Sequence, residues 1–140
     1  SLYASYIKQL SSDYYVMSEV GRKSSDPSQA LAPSQWLAHC EILSDAGASL
    51  VILESRESGR SGYVSTGGDV NAVMLDSISN SLPINSLLFE APIKSVQTFL
   101  IKRYGASVNL GNLSLVDLLA VQSLRLGLRS DTLLESTAIF

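Results

Sequence analysis

Few of the residues that usually announce a chemistry are present. Among 140 residues there is one cysteine, one histidine and one tryptophan. A single cysteine, Cys40, excludes an intrachain disulfide, and it suits the cytoplasm. No Cys/His metal spacing, no phosphate-binding Walker loop and no Ser–His–Asp ordering occurs. Charge is also sparse, at 16% of residues, with ten basic against thirteen acidic side chains and a net charge of −3. Without a lysine-rich run, neither nucleic acid nor a membrane surface is an expected partner. No apolar run approaches the ~20 residues needed to cross a bilayer, and no signal-peptide pattern opens the chain. The first residue is Ser1, leading straight into the helix-like SLYASYIKQL, and the last residues, STAIF, carry no capping chemistry. Both ends are expected to be cuts through a longer polypeptide.

Apolar residues are plentiful, at 46%, and they are organised. YYVMSEV (14–20), SLVILES (49–55), SLLFEA (86–91) and ASVNLG (106–111) are short and largely apolar on both parities. That is how strands covered on both faces read. Helix-like segments lie between and after them. PSQWLAHCEILSDAG offers Ser34 as N-cap, Trp36, Cys40 and Leu43 on one face, and Gly47 at the C′ position. GDVNAVMLDSISN sets Val70, Val73 and Met74 behind Asp69 as cap. PIKSVQTFLIKRYG places Pro92 at N1 and closes on Gly105. SLVDLLAVQSLRLG starts at Ser114 and stacks Leu115, Leu118, Leu119 and Leu126.

Strand and helix alternating four times predict parallel βα units in an α/β protein. An open doubly wound sheet and a closed (β/α)8 barrel both use such units. Four units are half a TIM barrel, which typically needs ~250 residues.

In either architecture chemistry gathers at the carboxyl ends of the strands. Each predicted strand here ends in polar residues: Glu19 with Gly21, Arg22 and Lys23; Glu54 with Arg56, Glu57 and Arg60; Glu90; Asn109 with Gly111 and Asn112. Charges placed after a buried strand are not one solvated helix face. Four clusters at equivalent places converge on one rim and suggest a shared site for anions and a metal. The plainer reading of any one of them is an exposed ion pair, worth little. His39 is expected on a helix surface, Cys40 in the core, and Trp36 and Phe99 in helix packing.

Taken in order, SEVGRK, VILESRESG, LLFEAP, VNLGN and LRLGLRSDT resemble the phosphosulfolactate synthase family, which serves coenzyme M biosynthesis and has plant heat-stress-associated relatives. The resemblance covers about residues 13–134, and it places the chain, as one domain over 1–140, in the C-terminal part of a (β/α)8 barrel. It implies a carbon–sulfur lyase that adds sulfite to phosphoenolpyruvate with Mg²⁺. Both substrates are anions, and bringing them together needs cations and backbone donors.

On this resemblance, Lys23 is the expected general acid, Glu54 a catalytic carboxylate, and Glu19, Glu54 and Glu90 the metal ligands. Arg22, Arg56, Arg60, Asn109, Gly111, Asn112 and Arg129 are the expected substrate-binding residues. The chain departs from the family pattern at Arg22, Ser55 and Ser130, where lysine, alanine and glycine are common. It also lacks the usual acidic residue after the tyrosine of YVSTGGD. The alternative function is a non-catalytic, heat-stress-type relative acting through protein contacts. A third is another phosphate-binding barrel lyase or aldolase. The expected assembly is a homo-oligomer or a pairing with the missing N-terminal half-barrel.

Overall fold

In the computed structural model, residues 2–21, 31–55, 62–65 and 67–133 are described. Helix α1 (Leu2–Leu10) leads into strand β1 (Met17–Val20), then α2 (Pro33–Asp45) and β2 (Leu50–Leu53). Next come α3 (Ala72–Ser81), β3 (Leu87–Glu90), α4 (Lys94–Tyr104), β4 (Asn109–Gly111) and α5 (Leu118–Arg125). The strands form one parallel sheet in the order β1-β2-β3-β4. Each βα unit adds the next strand beside the last, which is the winding of part of a (β/α)8 barrel.

Strand register sorts the side chains into two faces. Val20, Leu53, Phe89 and Leu110 stand side by side, with Ser18, Val51 and Leu87 one step earlier on the same face. This is the outer face. α2 lies across β1 and β2, and its Trp36, Cys40 and Leu43 pack into the same core as Val20, Leu53 and Phe89. The expected face of α2 is therefore correct, and His39 is exposed on its surface. Phe89 stacks on Tyr104 at 5.4 Å and meets Tyr63 edge-on at 6.2 Å, so aromatic contacts tie β3 to α4 and to the β2–α3 loop.

Three helix starts differ from expectation. Pro33, at N1, fixes where α2 begins, so Ala32 is the N-cap and Ser34 is already helical. The Gln35 side-chain oxygen reaches back to accept the Ala32 N–H at 2.9 Å, while the alanine side chain accepts no N–H of the first turn. Asn71, not Asp69, caps α3, with its carboxamide oxygen 3.2 Å from Met74 N. Asp69 instead sits in a tight turn with Ser65, which accepts its N–H. Pro92 lies before the N-cap Ile93 of α4. Two apolar assignments also change. Val73 faces solvent while Met74, Leu75 and Ile78 fill the core. In α5, Val121 and Leu124 are buried, whereas Leu118 and Leu119 of the same helix, Leu115 before it and Leu126 after it are exposed. Gly47 and Gly105 terminate α2 and α4 as expected, with φ of 100° and 92° that favour glycine.

Candidate functional site

The inner face of the sheet is built in layers, as a barrel interior is. Glu19, Ile52, Leu88 and Asn109 form one row. One step toward the carboxyl ends, Glu90 pairs with Gly111. Extending the register by one residue puts Glu54 beside Glu90 and Gly21 beside Glu54, and Glu54 N–H donates to Val20 O at 3.0 Å across that step. The final row thus reads Gly21, Glu54, Glu90, Gly111: two carboxylates flanked by two glycines.

The glycines are there because the neighbours need the space. A Cβ on Gly21 would overlap the Glu54 carboxylate, and one on Gly111 would overlap Leu88 Cδ2. Glu54 is only 4% exposed. The Glu90 Oε2 accepts the Ser55 N–H at 3.1 Å, which ties the end of β2 to the carboxylate of β3. Around it the backbone is pinned. The Tyr63 hydroxyl donates to Glu90 O, Gln97 Nε2 donates to Ala91 O at 2.9 Å, and Ala91 N–H donates to Gly111 O at 2.9 Å. Tyr63 and Gln97 are both buried. Burial above all, and then the Glu90 charge, push the Tyr63 phenol well above its ordinary range, so it stays a donor.

The expected site residues separate. Glu54, Glu90 and Gly111 share the strand-end row. Glu19 is on the same face but one row earlier, and it is exposed. Asn112 follows β4 in the left-handed region, with φ of 53°, a conformation asparagine tolerates. Asn109 is turned elsewhere: its amide donates to Asn85 O at 3.2 Å and Leu87 O at 3.0 Å, at the amino end of β3. Arg129 is exposed beyond α5. It lies within electrostatic reach of Asp131, whose carboxyl is held below its ordinary range chiefly by Lys94, 3.0 Å away. Arg22, Lys23, Arg56 and Arg60 lie outside the described residues. Tyr63, Gln97 and the Ser55 N–H are the supports the sequence reading missed. The only signal for Tyr63 was an aromatic residue standing alone in a glycine- and serine-rich loop.

Two adjacent carboxylates in a partly buried row are hard oxygen donors. They fit the way Mg²⁺ is usually held, by one or two carboxylates with waters and substrate oxygens completing the shell. Among the described residues no group of three His, Cys, Asp or Glu side chains is gathered at metal-binding distance.

A model of the (2R)-phospho-3-sulfolactate synthase family matches residues 2–131. Three curated relatives carry the name phosphosulfolactate synthase. The one from Bacillus subtilis is 43% identical over 130 residues, which are 92% of this chain and 52% of the relative. That from Methanocaldococcus jannaschii is 38% identical over 85% of this chain and 48% of its own length. That from Methanothermobacter thermautotrophicus is 36% identical over 86% and 47%. The chain spans about half the length of the curated relatives it matches.

Proposed function

The chain belongs to the phosphosulfolactate synthase family, and from that premise we propose that it supplies the β1–β4 side of a site that adds sulfite to phosphoenolpyruvate. The observation that carries this reading is the strand-end row, in which Glu54 and Glu90 are fixed side by side between two glycines.

The proposed reaction is a net addition of bisulfite across the C2=C3 bond. The sulfite sulfur forms the new bond to C3. The π electrons move to C2 and into the carboxylate, and a proton then arrives at C2; the phosphate ester stays intact. Lys23, two residues beyond Gly21, delivers that proton. Arg22, Arg56 and Arg60 follow the same two strand ends in sequence and hold the three anionic groups. Arg56 is suited to grip a carboxylate or sulfite as a planar fork. Asn112, held in a left-handed turn just after β4, directs its neighbouring backbone N–H groups toward a phosphate.

Glu54 and Glu90 would hold Mg²⁺, with Glu19 reaching it through water. The ion supplies Lewis acidity at the oxygens where charge develops. The Ser55 N–H and Tyr63 hydroxyl keep Glu90 from turning away.

The test is direct. The chain is mixed with phosphoenolpyruvate, sulfite and Mg²⁺, alone and together with the part of the Bacillus subtilis relative that it does not match. Formation of phosphosulfolactate is followed by mass. Product that vanishes in Lys23→Ala supports the reading. A folded, associated pair that forms no product overturns it and favours a non-catalytic relative acting through protein contacts.

A further inference from the structure

The two glycines of the strand-end row leave room for different groups. The place beside Gly21 is taken by the Glu54 carboxylate. The place beside Gly111 is taken by Leu88: a Cβ there would overlap Leu88 Cδ2 and stand 3.4 Å from Cγ and 3.6 Å from Cδ1. Gly111 is not among the glycines with positive φ, so Leu88, and not the backbone, keeps a side chain out. Leu88 belongs to the row below, opposite Ile52 and Asn109. Its side chain leans along the strand, as side chains in sheets do, and enters the gap beside Glu90 that β4 leaves open. Leu87 and Phe89 point to the outer face and are fully buried, whereas Leu88 is only partly buried. The row therefore carries carboxylates at β2 and β3 and methyl groups at β4.

Those methyl groups stand between the two ends of the proposed site. One end is the carboxylate pair, Glu54 and Glu90. The other is the left-handed turn at Asn112, whose neighbouring amides suit a phosphate. Adjacent strands lie about 4.8 Å apart, a step that one small enol phosphate can bridge. With its carboxylate toward Glu90 and its phosphate toward Asn112, the carbons between must pass over Gly111. One of them, C3, carries only hydrogen and has no polar group to satisfy. It suits a floor of methyl groups, and the charged ends do not.

We propose that Leu88, seated on Gly111, is a specificity-determining residue: its methyl groups lie against C3 of the substrate and leave no room for a substituent there. This rests on the reaction proposed above. With Leu88 on one side of C3, the sulfite sulfur approaches from the other. Gly111 serves the substrate indirectly, by letting Leu88 reach the level of the carboxylates.

The test is a ratio of rates. The chain, paired with the part of the Bacillus subtilis relative that it does not match, is given sulfite, Mg²⁺ and either phosphoenolpyruvate or its 3-methyl analogue, phosphoenol-2-oxobutyrate, in both double-bond isomers. The addition products are followed by mass and kcat/KM is compared. The wild type should prefer phosphoenolpyruvate by about 10²-fold, within the range that one methyl group in an apolar pocket commands. Leu88→Ala should shrink that preference at least about tenfold for one isomer. Leu88→Val should shrink it by less, and it serves where alanine does not fold. A general loosening lowers both rates together, so the ratio reads contact at C3 and not folding. Ile52→Ala, one strand away in the same row, should leave the ratio unchanged. A ratio that the Leu88 variants do not move, or that Ile52→Ala moves as far, overturns the proposal while turnover of phosphoenolpyruvate leaves the reaction standing. A folded, associated pair that converts neither substrate overturns both.

Discussion

Gly21 and Glu54 occupy each other's space: a Cβ on Gly21 would stand 2.5 Å from Glu54 Cβ and overlap its carboxylate. The first strand therefore ends in a glycine because the second ends in a buried glutamate. Gly21→Ala should push Glu54 out of the row. Because the obstacle includes the Cβ of a buried residue and not only the tip of a mobile side chain, the substitution should cost about 1–3 kcal/mol of stability, as overpacking does. Urea unfolding of the variant checks this. An unchanged midpoint would mean that Glu54 moves freely and is not held beside Glu90.

Tyr63→Phe tests the support beneath Glu90. The ring stays edge-on to Phe89, and only the hydroxyl that donates to Glu90 O is lost. A carbonyl left without that donor in a buried place costs about 1–2 kcal/mol. The chain should lose that much stability, and the Ser55 amide should exchange faster as the end of β3 loosens. A loss of stability with Ser55 exchange unchanged would make Tyr63 a packing residue only.

The strands were legible because each is a short β-branched or leucine-rich run between turn residues; their sequential order was not, because parallel βα units build a doubly wound sheet as readily as a barrel, and only the resemblance to a family pointed to the barrel. Glu54 and Glu90 were legible for a related reason: a carboxylate at the end of a buried strand has few places to go. Their exact adjacency was not, since register depends on how two strands slide, which neither strand encodes alone. Ser34 and Asp69 failed as caps because Pro33 at N1 and the Asn71 side chain set each helix start two residues away, with Ala32 and Asn71 as the N-caps. The leucines at 115, 118, 119 and 126 follow a helical stripe, yet they lie outside the covered part of α5, and periodicity does not say what covers a stripe. Asn109 follows the rim pattern in sequence, yet its amide donates to the backbone at the amino end of β3.

Cys40 gives a pH dependence of known sign. Burial, and secondarily the Glu41 charge, push its thiol up to about 12 from 9.0. Below pH 9 folded and unfolded chains both keep the proton, so the thiol adds no slope. Above it the unfolded chain releases the proton while the folded chain retains it, so stability is lost as pH rises, by up to about 1.4 kcal/mol per pH unit. Unfolding measured between pH 8 and 10 should therefore fall more steeply in the wild type than in Cys40→Ala. Parallel curves would show that the thiol reaches solvent.

Glu90→Gln separates charge from shape. The amide oxygen still accepts the Ser55 N–H, so folding should change by less than about 1 kcal/mol. On the proposed reading, metal binding and the stabilisation of developing charge would depend on the carboxylate, so product formation by the paired halves should fall on the order of 10²-fold, with more Mg²⁺ needed for half-maximal rate. Glu54→Gln should behave alike in rate, but it also replaces a carboxylate that is 4% exposed and pressed against Gly21, so its stability should change too. If Glu90→Gln keeps the full rate at every Mg²⁺ concentration, the row is a structural device that ties strand ends together. The chemistry must then be sought among the cations that follow Gly21 and Ser55.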